Sequence, residues 1–377
     1  MKKSVLAVAI AAAAFAASAA SAAQVYDKNG TTLAIGGQIE FMAGNAGNTY
    51  FGGNDYNASA DTTTRDRARL TMAGRTQLTN GIAAYAYNEW QAQHAGTSDE
   101  KANLSARQQY LGVDFGQFGK VQMGRYKDPY VFASSVVDVL DEVGVFGSND
   151  ERNSGHVSYM WKGFGFDAGV SYQFAENNYK TDTDGKFDVD SGFSLYAGYT
   201  SPVVLFGPIS VRAGYLYLNG QDTHEDDSYE VDDEPVKYTG EVDNLKTIDG
   251  SLAWGTNGKG FYIASNYGYT KTTFNNVDRE HKTKAWETVA TYGFENGIRL
   301  GASYHFIKSE KTNKDDAKTK FVQLIADYNV TPNFKVWAET CLDAGSDDYA
   351  SRITNKTLGD KDKDGHNSVM FGARYVF

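Results

Sequence analysis

Arg67, Arg69 and Arg75 recur at even intervals within residues 67–77. In an extended strand successive side chains point to opposite faces, so even spacing gathers the three guanidiniums on one face, with Thr71, Ala73 and Gln77. The opposite face carries Ala68, Leu70, Met72, Gly74, Thr76 and Leu78. Arg125, in the segment 119–126, is a further cation expected on such a strand. Fixed guanidiniums hold and orient anions and dipoles. Facing hydrocarbon at mid-depth of a membrane, each would cost about 2–4 kcal/mol, so the charged face belongs towards water.

Motifs for covalent chemistry are missing. The sequence has no H-E-x-x-H, C-x-x-C, G-x-S-x-G or P-loop. Its six histidines lack ligand spacing: His94, His224, His281 and His366 fall in expected loops, and only His156 and His305 in expected strands. Cys341 is the single cysteine, so no intrachain disulfide forms. No cofactor is expected. The segment Asp360-Lys361-Asp362-Lys363-Asp364-Gly365 opens like a calcium loop, but its twelfth position is Phe371, not Glu. Asp360, Asp362 and Asp364 therefore read as a solvated acidic loop, with metal binding the weaker alternative. Residues 222–234 carry eight acids, which could share divalent cations with neighbouring lipopolysaccharide, although plain solubility explains them equally. A formal net charge of −11 argues against nucleic acid as a partner.

The elements that position the arginines follow from a repeated unit of about ten alternating residues and a break. Strands are expected near 32–41, 67–77, 83–92, 105–115, 119–126, 156–162, 165–174, 191–200, 209–218, 246–255, 260–270, 284–293, 298–308, 319–328, 334–342 and 369–377. That even number suits a closed antiparallel sheet. The breaks alternate between short Gly, Asn and Pro turns and long polar loops, the latter near 42–66, 93–104, 127–155, 175–190, 219–245, 271–283, 309–318 and 343–368. The five prolines are expected between strands. This predicts an all-β, 16-stranded antiparallel transmembrane β-barrel, its short turns periplasmic and its long loops extracellular. A secreted β-sandwich or β-helix is the alternative. A mean hydropathy of −0.48 does not oppose the barrel, whose membrane face is diluted into every second residue. Lys2 and Lys3, an apolar run over 5–17 and Ala20-Ser21-Ala22 form a secretory signal, dividing the chain into a signal peptide (1–22) and one barrel domain (23–377).

Several segments, in order, resemble the general trimeric porins of Gram-negative outer membranes. They are Ala23-Gln24-Val25-Tyr26-Asp27-Lys28-Asn29-Gly30, Arg69-Leu70-Thr71-Met72-Ala73-Gly74-Arg75-Thr76-Gln77, Leu111-Gly112-Val113-Asp114-Phe115-Gly116, Gly124-Arg125-Tyr126, Asp138-Val139-Leu140-Asp141-Glu142 and Ala373-Arg374-Tyr375-Val376-Phe377. The resemblance implies a homotrimer in outer-membrane lipid and lipopolysaccharide that passes small hydrophilic solutes and has no enzymatic activity. It also implies a third long loop folded into the lumen as a constriction. Asp138 and Glu142 match the loop's acids; Arg69, Arg107 and Arg152 match the facing basic wall. Gln38 replaces a family lysine, Ser105 stands at a second basic position, and Asp141 stands where a proline is usual. Arg67, Arg75 and Arg125 are additional lumen candidates. Tyr375 and Phe377 match the signal read by the barrel-assembly machinery. Two lost cations and one added acid predict moderate cation preference. A substrate-specific channel, or more remotely a β-barrel enzyme, is the competing reading.

Overall fold

Alternation persists well beyond the segments that first reveal it, and the described residues form eighteen strands. These are β1 (Ala23–Lys28), β2 (Thr31–Gly44), β3 (Thr63–Thr79), β4 (Ile82–Ala95), β5 (Ser105–Asp114), β6 (Lys120–Lys127), β7 (Arg152–Gly163), β8 (Phe166–Gln173) and β9 (Glu176–Thr181). They continue as β10 (Gly185–Val204), β11 (Gly207–Gly220), β12 (Val242–Thr256), β13 (Lys259–Phe274), β14 (Glu280–Gly293), β15 (Ile298–Lys311), β16 (Ala317–Thr331), β17 (Phe334–Asp343) and β18 (Ser368–Val376). The computed structural model describes residues 22–44, 63–95, 104–141, 152–181, 185–221, 242–275, 280–312, 316–346 and 368–377. The expected signal segment, apart from Ala22, lies outside the described residues, as do Glu142, the acidic run 222–234, Asp360, Asp362 and Asp364.

Neighbouring strands pair antiparallel around the whole ring, and β18 returns to pair with β2. The strand β9 continues the line of β8, both against β10. The strand β1 lies end to end with β18 along one edge of β2, taking residues 31–35 while β18 takes 38–44. Counting each such pair of pieces as one strand gives the sixteen-stranded barrel.

Closure depends on two residues without side chains. Gly37 donates to the Phe377 carbonyl (2.8 Å) and accepts from the Phe377 N–H (3.0 Å). A Cβ on Gly36 would lie 2.8 Å from the Ala22 Cβ, and one on Gly37 would collide with the Arg69 carbonyl and the Phe377 ring.

Two expectations change here. Residues 175–190, expected as a loop, contain β9 and the start of β10, while His94 and His281 lie on strands β4 and β14. Phe187 and Val189 are buried there with Asp188 and Asp190 alternating between them, so the outer positions carry charge where a membrane-facing strand would be apolar, and the segment reads as a loop. Pro202 and Pro208 lie within β10 and β11, not between strands. Pro202 sits in a register shift between Thr200 and Val203, where no ladder donor is needed, and the Ser201 Oγ accepts the Ile209 N–H (2.9 Å).

The outer surface shows two aromatic belts. Near the short turns Phe206 stacks on Trp254 (4.1 Å) and Tyr292 meets Phe294 edge-on (4.8 Å). Towards the long loops lie Tyr172, Phe193, Tyr267 and Trp286, with exposed Val170, Leu195, Ile248, Leu252 and Ile263 between the belts. This is how a barrel meets a bilayer. We predict that Gly37→Val, whose side chain cannot fit between β3 and the chain terminus, prevents closure; loss of the heat-modifiable folded band on a gel is the expected result.

Candidate functional site

The third long loop leaves β6 at Asp128 and turns inward. The Asp128 Oδ1 accepts from the Tyr130 N–H (3.2 Å), and Oδ2 from the Ser171 hydroxyl (2.7 Å), fixing the start of a short 3-10 helix, Pro129–Ala133. From there the wall supplies donors in sequence. Arg212 Nη1 reaches the Phe132 carbonyl (3.2 Å), the Tyr262 hydroxyl the Val136 carbonyl (2.6 Å), and Arg299 Nη1 the Val139 carbonyl (2.8 Å). Between these bonds Val136, Val137, Val139 and Leu140 pack on Ala264, Val289, Ile307, Phe321 and Ile325. The inward face of β12–β17 is thus partly apolar, contrary to a uniformly polar bore. The loop covers it, so those side chains form an internal core.

Asp141 ends the described part of the loop. Its carboxylate contacts Lys335 Nζ (2.6 Å), Arg374 Nη1 (3.1 Å) and Arg299 Nη2 (3.9 Å), while its N–H donates to Glu339 (3.2 Å). Burial pushes the carboxyl pKa up, but the three cations outweigh it and hold the group below its ordinary value. A depressed carboxylate pKa stabilises the folded state above the unfolded value and loses that contribution as pH falls through the folded one. Asp138, by contrast, is exposed, with Lys127 Nζ at 4.0 Å. A cleft of about 320 Å³ opens here, lined by Asp138, Arg299, Asp327 and Lys335 together with turn residues.

The remaining wall carries the arginines. Arg67 and Arg69 project inward from β3 beside Arg65, as the parity requires. Arg65 (3.1 Å), Arg67 and Arg374 (2.7 Å from Nε) converge on Glu40, which is almost fully buried. Arg107 Nε donates to Glu89 (2.8 Å), and Arg69 and Arg152 act electrostatically on the same carboxylate. Arg69 also donates to Gln91 (2.9 Å). The structure therefore brings Arg69, Arg107 and Arg152 together around one acid. Gln38 faces inward, buried, beside this group on β2. Arg75 is paired apart from it with Asp114 (2.9 Å), and Arg125 donates to the Ala106 carbonyl (3.1 Å) at a strand irregularity. The Tyr375 ring is exposed outward, and Phe377 is held at the closure point.

Glu40 and Glu89, which organise the basic wall, were not singled out by the sequence, nor were Lys335, Arg374 and Arg299. The available signal was parity: Glu40 shares a face with Gln38, and Glu89 with Gln91. Sequence distance hid the Asp141 cluster, since its partners lie 158 to 233 residues away.

An enzyme-like constellation also occurs inside the barrel. The Ser303 Oγ lies 2.8 Å from His305 Nε2, and His305 Nδ1 lies 3.6 Å from Glu287. Ser303 also donates to Gln323 (3.0 Å), the imidazole stacks on Phe321 (4.4 Å), and all three residues are buried. A serine whose proton is held by an amide, with no access to solvent, is a packed polar network, not a nucleophile. Among the described residues no group of His, Cys, Asp or Glu is arranged to hold a metal ion.

A closed, aromatic-belted sheet around a charged bore narrowed by its own loop defines a membrane channel. The chain belongs to the Gram-negative porin family, whose model, described as Gram-negative porin, matches residues 7–346. It is 25% identical over 354 residues to an outer membrane porin C of Rahnella aquatilis, covering 87% of this chain and 96% of that protein. In fold it is similar to OmpF of Salmonella typhi, solved with daunomycin (TM-score 0.71, 18% identity, 94% of this chain and all of that one). It also resembles OmpT of Vibrio cholerae in a trimer form (TM-score 0.64, 18% identity, 92% and 99%). The protein is thus an outer-membrane porin, a diffusion channel without enzymatic activity, in a family that is typically trimeric.

Asp141→Asn should loosen the loop by about 2 kcal/mol, the worth of hydrogen bonds to a charged group, while Arg374 keeps Glu40 and Arg299 and Lys335 keep Asp327. The expected result is noisier single-channel current and a lower unfolding temperature. In the unmodified protein the same loosening should appear only as pH falls below the ordinary aspartate range.

Proposed function

We propose that the pore passes small hydrophilic solutes and ions with moderate cation preference, its passage set between loop 3 and the basic wall of β2–β5. The observation that carries this reading is how the wall's cations are engaged. Arg65, Arg67 and Arg374 meet Glu40, and Arg107 meets Glu89 with Arg69 and Arg152 near it. Glu40 and Glu89 therefore offset part of the positive potential of these six guanidiniums. Asp141 adds little, being itself compensated by three cations. In sequence, loop 3 adds acid and no cation beyond Asp141, since residues 142–151 hold Glu142, Asp150 and Glu151 and no Lys or Arg. Acidic outer loops and the net charge of −11 concentrate cations at the mouth. A bilayer held in a KCl gradient should give a cation-selective reversal potential; an anion-selective value overturns the reading.

We also propose that residues 1–22 are a cleaved signal peptide, that Tyr375 and Phe377 serve as the assembly signal, and that the barrel forms a homotrimer through the outer face of β3–β5. That face carries Ala68, Ala84, Ala86 and Ala92 beside Leu70, Met72 and a single aromatic, Trp90, on β3 and β4. Asn88 lies in register with Met72 and Gln109, and its buried amide has no hydrogen-bond partner among the described residues. An unpaired amide is costly against lipid but tolerable against a second copy. Ala86→Trp should shift the folded protein from trimer to monomer on a semi-native gel, leaving the barrel heat-modifiable.

A further inference from the structure

The short turns, which lie at the periplasmic end of an outer-membrane barrel, are of two kinds. Asn80-Gly81, Asn257-Gly258-Lys259, Glu295-Asn296-Gly297 and Pro332-Asn333 are polar or charged. The turns joining β5 to β6, β7 to β8 and β10 to β11 are apolar at their tips. They expose Phe118 at 68%, Phe164 at 95%, and Val203 and Leu205 at 74% and 84%. No charged residue occurs in 115–119, 163–166 or 201–208. The strands they join are consecutive around the barrel, so the three turns form one ledge, about 10 Å from each turn to the next.

The ledge holds its side chains out under strain. Among the described residues four besides glycine have positive φ: Asn29, Asn178, Phe164 (55°) and Leu205 (58°). Asparagine tolerates that left-handed region, whereas Phe and Leu crowd Cβ against the backbone there. Gly81, Gly258 and Gly297 take the same region without strain at three of the polar turns. Strain that persists at two neighbouring tips points to a use for the bulky side chains displayed there.

The backbone of the ledge is bonded to the barrel's outer face. The Tyr159 hydroxyl donates to the Phe118 carbonyl (2.6 Å) and Trp161 Nε1 to the Gln117 carbonyl (3.1 Å), drawing the first turn onto β7. Trp254 Nε1 donates to the Val204 carbonyl (2.8 Å), and the Thr200 N–H to the Gly165 carbonyl (2.8 Å). Aromatic donors of the membrane face thus occupy carbonyl oxygens that a turn in water leaves to solvent. Phe206 joins the ledge to the lower belt through Trp254, and Phe166 does so through Tyr199 (4.7 Å). Phe164 lies two residues beyond Phe166, about 7 Å further along the strand.

We propose that this ledge is embedded in the periplasmic leaflet and binds its phospholipids, so that the barrel sits deeper in the membrane along β5–β11 than at the polar turns. An apolar tip whose carbonyls are already bonded leaves water at little cost. The occupant is a lipid surface because the ledge continues the aromatic belt that meets lipid. Without charge, the ledge takes the acyl and glycerol region and does not select a headgroup. The inference is independent of pore selectivity and of oligomeric state.

The test attaches a nitroxide to the full-length protein in phosphatidylcholine vesicles, through Phe164→Cys or Leu205→Cys on the ledge and through Asn80→Cys or Glu295→Cys on polar turns. The unmodified protein reports any label on the buried Cys341. Labels at 164 and 205 should collide with oxygen, which concentrates in lipid, in preference to a water-soluble nickel complex; labels at 80 and 295 should show the reverse. Anionic lipid or high salt should leave both results unchanged. Hydroxyl-radical footprinting of the unmodified protein in the same vesicles needs no variant: Phe118, Phe164 and Leu205 should react as little as Val170 on the hydrocarbon face. Ledge labels as open to nickel as those at 80 and 295, or tips that oxidise freely, overturn the proposal and leave the ledge to a periplasmic protein. Protection that requires an anionic headgroup overturns it equally.

Discussion

Everything in this molecule depends on pairing each backbone N–H and C=O within a medium that offers no water. A group left unpaired in hydrocarbon costs several kcal/mol, so an open sheet edge there is untenable. The chain meets this by pairing β18 with β2 and filling the remaining edge of β2 with β1. Ala22, just before β1, and Phe377 therefore meet at Gly36 and Gly37, the only kind of residue that fits between them and the Arg69 carbonyl. The position of Pro202 obeys the same rule, since a bulge is where a strand needs no donor.

A closed sheet fixes an inside, and the inside has two unlike walls. Along β12–β17 it is partly apolar, and loop 3 lies on it as a lid lies on a core, through Val136 to Leu140 and hydrogen bonds from Tyr262 and Arg299. Along β2–β5 it is ionic, and its guanidiniums are anchored by Glu40 and Glu89. The carboxylates reduce the cost of crowding cations and hold each guanidinium in one place. An immobile array of charges imposes a directional field on whatever passes, which mobile side chains would average away. Asp141 connects the two walls, joining the end of the lid to Arg374, which also grips Glu40.

The outside is equally uneven. Most of it alternates apolar band and aromatic belt, as a bilayer demands, but one sector is lined by alanines with the buried Asn88 amide, and another rises into paired rows of lysine. We propose that in the first of these sectors the surface meets a second copy of the chain instead of acyl chains.

Taken alone, the sequence determined the barrel, because period-two alternation is local and each strand announces its own two faces. All sixteen membrane-spanning segments were legible, as were the inward direction of Arg67, Arg69 and Arg75 and the likeness of 138–142 to a constriction loop. What lay above the hydrocarbon was not, since there Asp188 and Asp190 alternate with the buried Phe187 and Val189, and a charged outer face reads as loop. Only the tertiary structure decided which charges meet. Asp141 reads as an added pore acid, yet Lys335 and Arg374, nearly two hundred residues or more away, compensate it at the wall. Glu40 and Glu89 read as ordinary strand residues, yet they organise the arginines. The reason is physical: a strand's faces follow from neighbouring residues, whereas an ion pair depends on the register and closure of strands far apart in the chain.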